Sequence, residues 1–287
     1  MPITIRSPDL STNASSFEEI ARWHFQCSDA SNDRIEIDLS RVRWIDAHLS
    51  SSILCVIRKM QSRGNSVVFT NTSPRIVDIM QRNGLFNSEN RVETGTVIPL
   101  TAFSKSDGVL YSNFIRQHMK RMRFPQMTGV LRGKIYEGLD EIFINSSIHS
   151  YSDTKIFACG QFFPKYERID FSITDGGIGI HGAYRRAFGR DISAVAAIDW
   201  AMTEGSTTRV GDIPGGLGLK ILRQFIRLNM GRFILVTGNG CWMEQQGVTE
   251  RKQLAFEFPG TVVTIEVNTA DTKSYELAQV PDPSNLW

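Results

Sequence analysis

The apolar positions of this chain recur with two different periods, and the change from one to the other marks out its elements. In residues 34 to 40, RIEIDLS, Ile35, Ile37 and Leu39 fall on every second position, the period of a strand with one inward face. From Asp46 the period lengthens. Leu49, Ile53, Val56 and Met60 stand at helical spacing, and the pattern stops at Gly64, a residue suited to a C-terminal cap. NSVVFTN then reads as another strand, and SPRIVDIMQRNGLF as a helix with Ser73 before it, Pro74 at its first position and Gly84 near its end. This β-α-β-α succession over residues 1 to about 95 predicts a parallel or mixed sheet with helices packed against it.

A second stretch follows. SKSDGVLYSNFIRQHMKRMRFP predicts a helix ending near Pro125 that joins two halves of the chain. GVLRGKIYEGLDEIFINSSIHS predicts a long helix with Leu131, Ile135, Leu139, Ile142 and Phe143 on its buried face. ERIDFSITDGG alternates, with Ile169, Phe171 and Ile173 inward and Arg168, Asp170 and Ser172 outward, and breaks at the glycines. Two helical patterns come next, separated by the polar run TEGSTTRVGDIPGG, and the strand patterns RFILVTG and TVVTIEV precede a polar tail. The expected organisation is two α/β domains, residues 1–100 and 128–287, joined by a helical connector over 101–127; a chain of 287 residues is long enough for two cores.

Composition narrows the class. With 41% hydrophobic and 22% charged residues the chain has the profile of a soluble globular protein, not a disordered one. A net charge of +2 provides no basic field for nucleic acid, and Arg116, Lys120, Arg121 and Arg123, clustered at one predicted helix end, suit a solvated face that complements the helix dipole. Cys27, Cys55, Cys159 and Cys241 are widely spaced and form no C-x-x-C pair, so they are expected to be buried small apolar side chains in a reducing compartment. The N-terminus lacks a charged lead, an apolar run and a cleavage site, and no window approaches the roughly 18 apolar residues of a membrane span. A cytoplasmic location is the expectation.

Three stretches carry candidate chemistry. In EIFINSSIHS, Glu141, Asn145 and His149 recur every four residues and so share one helix face, which suits a solvent stripe or an acid, a metal-binding amide and a third polar group aimed into a pocket. In ITDGGIGI a strand delivers Asp175 into Gly176, Gly177 and Gly179. A carboxylate there can accept from an exocyclic amine and the glycines let a flat ring approach the backbone, although a D-G-G sequence equally makes a tight turn. In GGLGLKILRQFI, glycines including Gly216 and Gly218 open a helix whose free N–H groups suit phosphate; it has neither the lysine of a P-loop nor the preceding strand of a dinucleotide fingerprint. The polar connection 203–216 has the length and composition of a lid or of a plain loop.

The order and spacing of these stretches, E-x-x-x-N on a helix, D-x-G-x-G after a strand, a polar run, G-x-G-L opening a helix and a last strand beginning at Gly260 and Thr261, resemble the ATP-binding domain of the GHKL superfamily over about residues 128 to 268. The pattern E-x-x-x-N-x-x-x-H is similar to that of the anti-sigma-factor serine kinases. The resemblance implies a Bergerat α/β sandwich that takes ATP and magnesium. It implies Glu141 as the acid-base residue, Asn145 as a magnesium ligand and His149 as its neighbour. It further implies Asp175 and Thr261 against adenine, Gly177 and Gly179 behind the purine, and Gly216 and Gly218 at the phosphates. Magnesium suits such a site because the ion keeps waters and phosphate oxygens and needs few protein ligands. No dimerisation helix of a sensor histidine kinase is found in the sequence.

The stretch IEIDLSRVRWIDAHLSSSILCVIRKM is similar to a STAS domain, in which an Asp at a strand end is followed by a phosphorylatable Ser. Here Asp46 is present, Ala47 takes the place of the Ser, His48 follows, and Ser50, Ser51 and Ser52 come about one turn later. The departure implies a docking module and not a phosphorylated substrate. The implied function is an ATP- and magnesium-dependent regulator that hydrolyses ATP or transfers its γ-phosphoryl to a protein serine. The alternative is a non-catalytic ATP-gated switch that docks partners through the STAS-like half. A protein partner is expected, a homodimer stays open, and neither membrane nor nucleic acid is.

Overall fold

A computed structural model of the chain describes residues 2–86, 95–203 and 217–277. Its first half contains β1 (Ile3–Arg6), α1 (Ala14–Gln26), β2 (Arg34–Asp38), a 3-10 turn (Ala47–Leu49), α2 (Ser50–Gln61), β3 (Ser66–Thr70) and α3 (Pro74–Asn83). The three strands form a parallel sheet in the order β1-β2-β3, with Ile5 opposite Ile37 and Ile37 opposite Phe69. Parallel neighbours need a crossover, and crossovers of one hand along a sheet whose order follows the chain put α1 and α2 on the same face, where they touch. Local chemistry fixes the ends: the Asn13 side chain accepts from the Ser16 N–H to cap α1, and Gly84, at φ 91°, ends α3 in the left-handed region.

The second half contains β4 (Val97–Phe103), α4 (Gly108–Met119), α5 (Gly129–His149), β5 (Ile156–Phe163), β6 (Arg168–Asp175), α6 (Gly179–Phe188), α7 (Ala194–Met202), α8 (Leu217–Leu228), β7 (Arg232–Gln245) and β8 (Val248–Asn268). Five of these strands make an antiparallel sheet in the order β4-β5-β6-β8-β7. The molecule is therefore mixed α/β, with one parallel and one antiparallel sheet. The helical pattern over 104–125 resolves into the shorter α4, which packs on α5, and the strand before it joins the second sheet. Pro99 obscures that strand in the sequence. It is tolerated because β4 is an edge strand whose pairing with β5 shifts register between Ile98 and Thr101.

The two faces of the antiparallel sheet are both covered. On one, Ile169, Phe171 and Ile173 of β6 pack with Leu131, Ile135, Leu139, Ile142 and Phe143 of α5 and with α4 and α8, as the alternation predicts. The other was expected to meet water. Instead Asp170, Ser172 and Thr174 are each 0% exposed, because α1 and α2 lie across that face. Alternation distinguishes two faces of a strand; it does not reveal whether the polar one is covered by an element distant in sequence. One continuous core runs from Ile5, Ile35 and Ile37 through Phe17, Ile53 and Val56 to Phe157, Val236, Phe258 and Val262. The halves thus share a core. Among the described residues no helix is long and apolar enough to cross a membrane.

A shared core makes a cooperative unit. Phe17→Ala should cost about 3–5 kcal/mol, the range for truncating a buried aromatic, and the loss should be felt by both sheets at once. Urea unfolding followed by tryptophan fluorescence and by circular dichroism should give coincident transitions that shift together; two separated transitions would contradict the shared core.

Candidate functional site

The residues singled out in the sequence collect along one edge of the molecule, where α5, the end of β6 and the start of α8 meet. Strand β6 ends in Asp175, directly opposite Thr261 of β8, which in turn pairs with Thr237 of β7. The Asp175 carboxylate accepts from the Gly177 N–H at 3.0 Å, and the Ser146 hydroxyl and the Thr261 backbone stand near it. It is 3% exposed. Burial is the largest influence on it and raises its pKa to about 6; the Gly177 N–H, the Ser146 hydroxyl, the Lys59 ammonium and the Thr261 backbone oppose that rise.

The turn after Asp175 is packed tightly. Gly177 lies against the end of α5, where a Cβ would collide with the Ser150 carbonyl, and the Ile178 N–H donates to that same carbonyl at 2.8 Å. Gly179 opens α6 at φ 70°, a conformation that an L side chain resists, and the next N–H, of Ile180, donates to Thr237 Oγ1 at 2.9 Å. Gly176 faces the other half of the molecule. A Cβ there would meet Lys59 Cε at 2.9 Å and Cys55 Sγ at 3.1 Å, both from α2.

On α5, Glu141 is half-buried and its Oε2 accepts from the Leu219 N–H at 3.1 Å, so it ties the first turn of α8 to the middle of α5. Close approach makes that possible: a Cβ on Gly138 would come within 2.5 Å of the Gly218 carbonyl, and one on Gly218 within 2.8 Å of the Gly138 nitrogen. Asn145 and His149 are half-buried further along the same helix. Glu141, Asn145 and His149 lie on α5, Asp175 ends β6, Gly177 sits in the turn after it, Gly179 opens α6, Gly218 belongs to the first turn of α8 and Thr261 to β8. Gly216 and the polar run over 204–216 lie outside the described residues.

Several members of this edge were invisible in the sequence. Ser146 sits beside Asn145 and turns its hydroxyl toward Asp175; Thr237 links β7 to the start of α6; Lys59 and Cys55 come from the first half. Only Ser146 had a local signal, its place next to the Glu141 and Asn145 face. The serines after Ala47 are not available at the surface: Ser50, Ser51 and Ser52 are each 0% exposed, with Ser50 accepting from Asn83 Nδ2 at 2.7 Å and Ser51 accepting from Thr174 at 3.0 Å.

Asp46, His48 and Asp170 form a second polar group between the halves, with ligating atoms within 4.8 Å of one another. Asp46 is fully engaged. Its Oδ2 accepts from the Thr12 N–H at 2.8 Å and hydroxyl at 2.7 Å, and its Oδ1 from Trp44 Nε1 at 2.8 Å with the Arg168 guanidinium at 3.5 Å. Arg168 also stands 3.2 Å from Asp170, so a cation already occupies the space between the carboxylates and the group does not fit a metal ion.

No protein-family model matches the chain, and no curated protein matches it.

A buried acid whose folded pKa is raised contributes stability that is fully present below its unfolded value near 3.8 and is lost as pH rises through about 6. Ionising Asp175 therefore costs on the order of 2–3 kcal/mol at pH 7. Asp175→Asn keeps an oxygen for the Gly177 N–H, and its stability should vary less than wild type between pH 4 and pH 6.5. Equal pH slopes in paired urea titrations would count against a buried, ionising Asp175.

Proposed function

We propose that this chain is an ATP- and magnesium-dependent regulatory protein, built from a GHKL-type nucleotide-binding domain with a STAS-like module covering the far face of its sheet. One observation carries the reading. A single helix, α5, presents Glu141 to the first turn of α8 and Ser146 to Asp175, so an acid, a strand-end carboxylate and a helix N-terminus converge on one edge. The chemistry of the donor set fits a nucleotide. An ionised carboxylate has about four acceptor positions, and the Gly177 N–H takes one of those of Asp175, so the group can also accept from an exocyclic amine.

On this reading Asp175 and Thr261 hold the adenine, Gly177 and Gly179 back it, Asn145 holds the magnesium, and the N-terminal end of α8 beside Gly218 receives phosphate oxygens. Bound ATP supplies a γ-phosphoryl group for transfer to water or to a protein serine. Glu141 accepts the proton of the attacking hydroxyl, and the Leu219 N–H on its Oε2 fixes the orientation of that carboxylate. The regulatory part of the reading rests on α2, whose Lys59 and Cys55 pack on Gly176 and link the STAS-like module to the turn that carries Asp175. A switch that binds ATP without turning it over is favoured by the Glu141 to Leu219 bond itself, since joining α5 to α8 is a duty that needs no catalysis.

Asp175→Asn should weaken ATP at least tenfold in calorimetry while the protein stays folded, because the amide can turn a donor toward the adenine amine. Glu141→Gln keeps an acceptor for the Leu219 N–H and loses the base, so binding should stay within about threefold while single-turnover release of phosphate falls about 100-fold or more. Full turnover in Glu141→Gln would remove the catalytic assignment; tight binding with no turnover in the wild type would select the switch, and absence of ATP binding would end the proposal. After incubation with magnesium and ATP, phosphopeptide mass spectrometry should find no phosphate on residues 46 to 52, whose hydroxyls are buried.

A further inference from the structure

The hydrogen bonds around His48 determine which of its nitrogens carries a proton. Thr12 Oγ1 lies 2.7 Å from Asp46 Oδ2 and 2.8 Å from His48 Nε2. A threonine hydroxyl has one proton, and a contact that short with a carboxylate oxygen requires it to lie there. His48 Nε2 must then donate to Thr12 Oγ1, which leaves Nδ1 with a lone pair in the neutral ring. That lone pair faces Asp170 Oδ2 at 3.5 Å, with both side chains 0% exposed. Two lone pairs confront each other in the buried interior, and neither Nδ1 nor either Asp170 oxygen makes a hydrogen bond among the described residues.

The charge around the pair indicates what lies between them. Three carboxylates bear on it: Asp46 ahead of the 3-10 turn, Asp170 on β6 and Glu266 on β8. Two guanidiniums face them, Arg168 on β6 and Arg232 on β7, the latter 2.7 Å from Glu266. From β5 comes only the neutral Cys159 thiol, which donates to the His48 carbonyl at 3.0 Å. The group is one positive charge short of balance. A divalent ion would overshoot by one and would have to sit beside Arg168.

We infer that His48 and Asp170 together bind one proton, held between His48 Nδ1 and an Asp170 oxygen, and that this proton joins the 3-10 turn of the first half to the central strand of the second. Burial keeps the imidazole neutral, its pKa pushed down to about 4, and pushes the Asp170 carboxyl well above the ordinary carboxylate range, so the proton resides on Asp170 and is donated to the ring. In the unfolded chain His48 releases its proton through pH 6.5 and Asp170 has already lost its own. The folded pair keeps one proton above that pH. Folding is therefore favoured less and less as pH rises past 6.5, with the unfolding constant growing about tenfold per pH unit until the pair itself deprotonates. This joint is independent of the nucleotide reading.

Asp170→Asn tests it, because the amide N–H donates to His48 Nδ1 without titrating. Urea unfolding of the full chain and of this variant from pH 7 to pH 8 should show the wild-type unfolding constant rising about tenfold more than that of the variant; parallel curves would overturn the proposal. The wild type provides a second measurement should the variant fail to fold. Nitrogen NMR at pH 7 should find the His48 ring protonated at Nε2 and accepting at Nδ1, and a neutral ring protonated at Nδ1 alone would overturn the assignment. Elemental analysis of the purified full chain should find no stoichiometric zinc or magnesium that disappears in Asp170→Asn; such an ion would replace the proton and sink the inference.

Discussion

Everything in this molecule depends on the burial of both faces of one antiparallel sheet. The face toward α5 and α8 is covered by helices of the same half, and the opposite face by α1 and α2, which arrive from the parallel sheet. Each large side chain removed from water there contributes roughly 1.5–3 kcal/mol, and Phe17, Ile53, Val56, Val236 and Phe258 belong to the same continuous core. Neither half closes that core alone. The apolar strands β7 and β8 would present Ile234, Val236, Leu254, Phe258 and Val262 to solvent without the helices of the first half.

Strand β6 is where that arrangement becomes chemistry. Its apolar side chains face α5, its polar ones face α2, and it ends in Asp175. A polar strand face can be buried only if its groups find partners, and here Ser51 and Ser52 meet Thr174, while His48 meets Asp170. The serines that follow Ala47 therefore serve as partners within the interface, which accounts for their burial and removes them from the surface at which a modifying enzyme acts. The same contact brings Lys59 and Cys55 against Gly176, one residue from Asp175. Changes in the seating of α2 would reach the turn through packed atoms.

The candidate edge also shows why its glycines are where they are. Gly138 and Gly218 let α5 and α8 approach closely enough for Glu141 to hold the Leu219 N–H, and Gly177 lets the turn pass beneath the end of α5. Close approach of backbones is thus part of what these residues do, whatever ligand the edge receives. The nucleotide reading adds roles to residues whose packing duties are already visible.

Taken by itself, the sequence determined the elements whose signals are local. The helical spacing and the Pro74 and Gly84 ends specified α3, the stripe from Leu131 to Phe143 specified α5, and the alternation of Ile169, Phe171 and Ile173 specified one face of β6. It also placed Glu141, Asn145 and Asp175 on the elements where they are found. The tertiary structure alone decided that β4 joins the second sheet despite Pro99, that Asp170 and Ser172 are interior, and that Ser146, Thr237 and Lys59 complete the edge. The reason is that periodicity records which residues share a face, whereas what covers that face is settled by contacts between distant residues, such as Ser51 and Thr174, 123 positions apart.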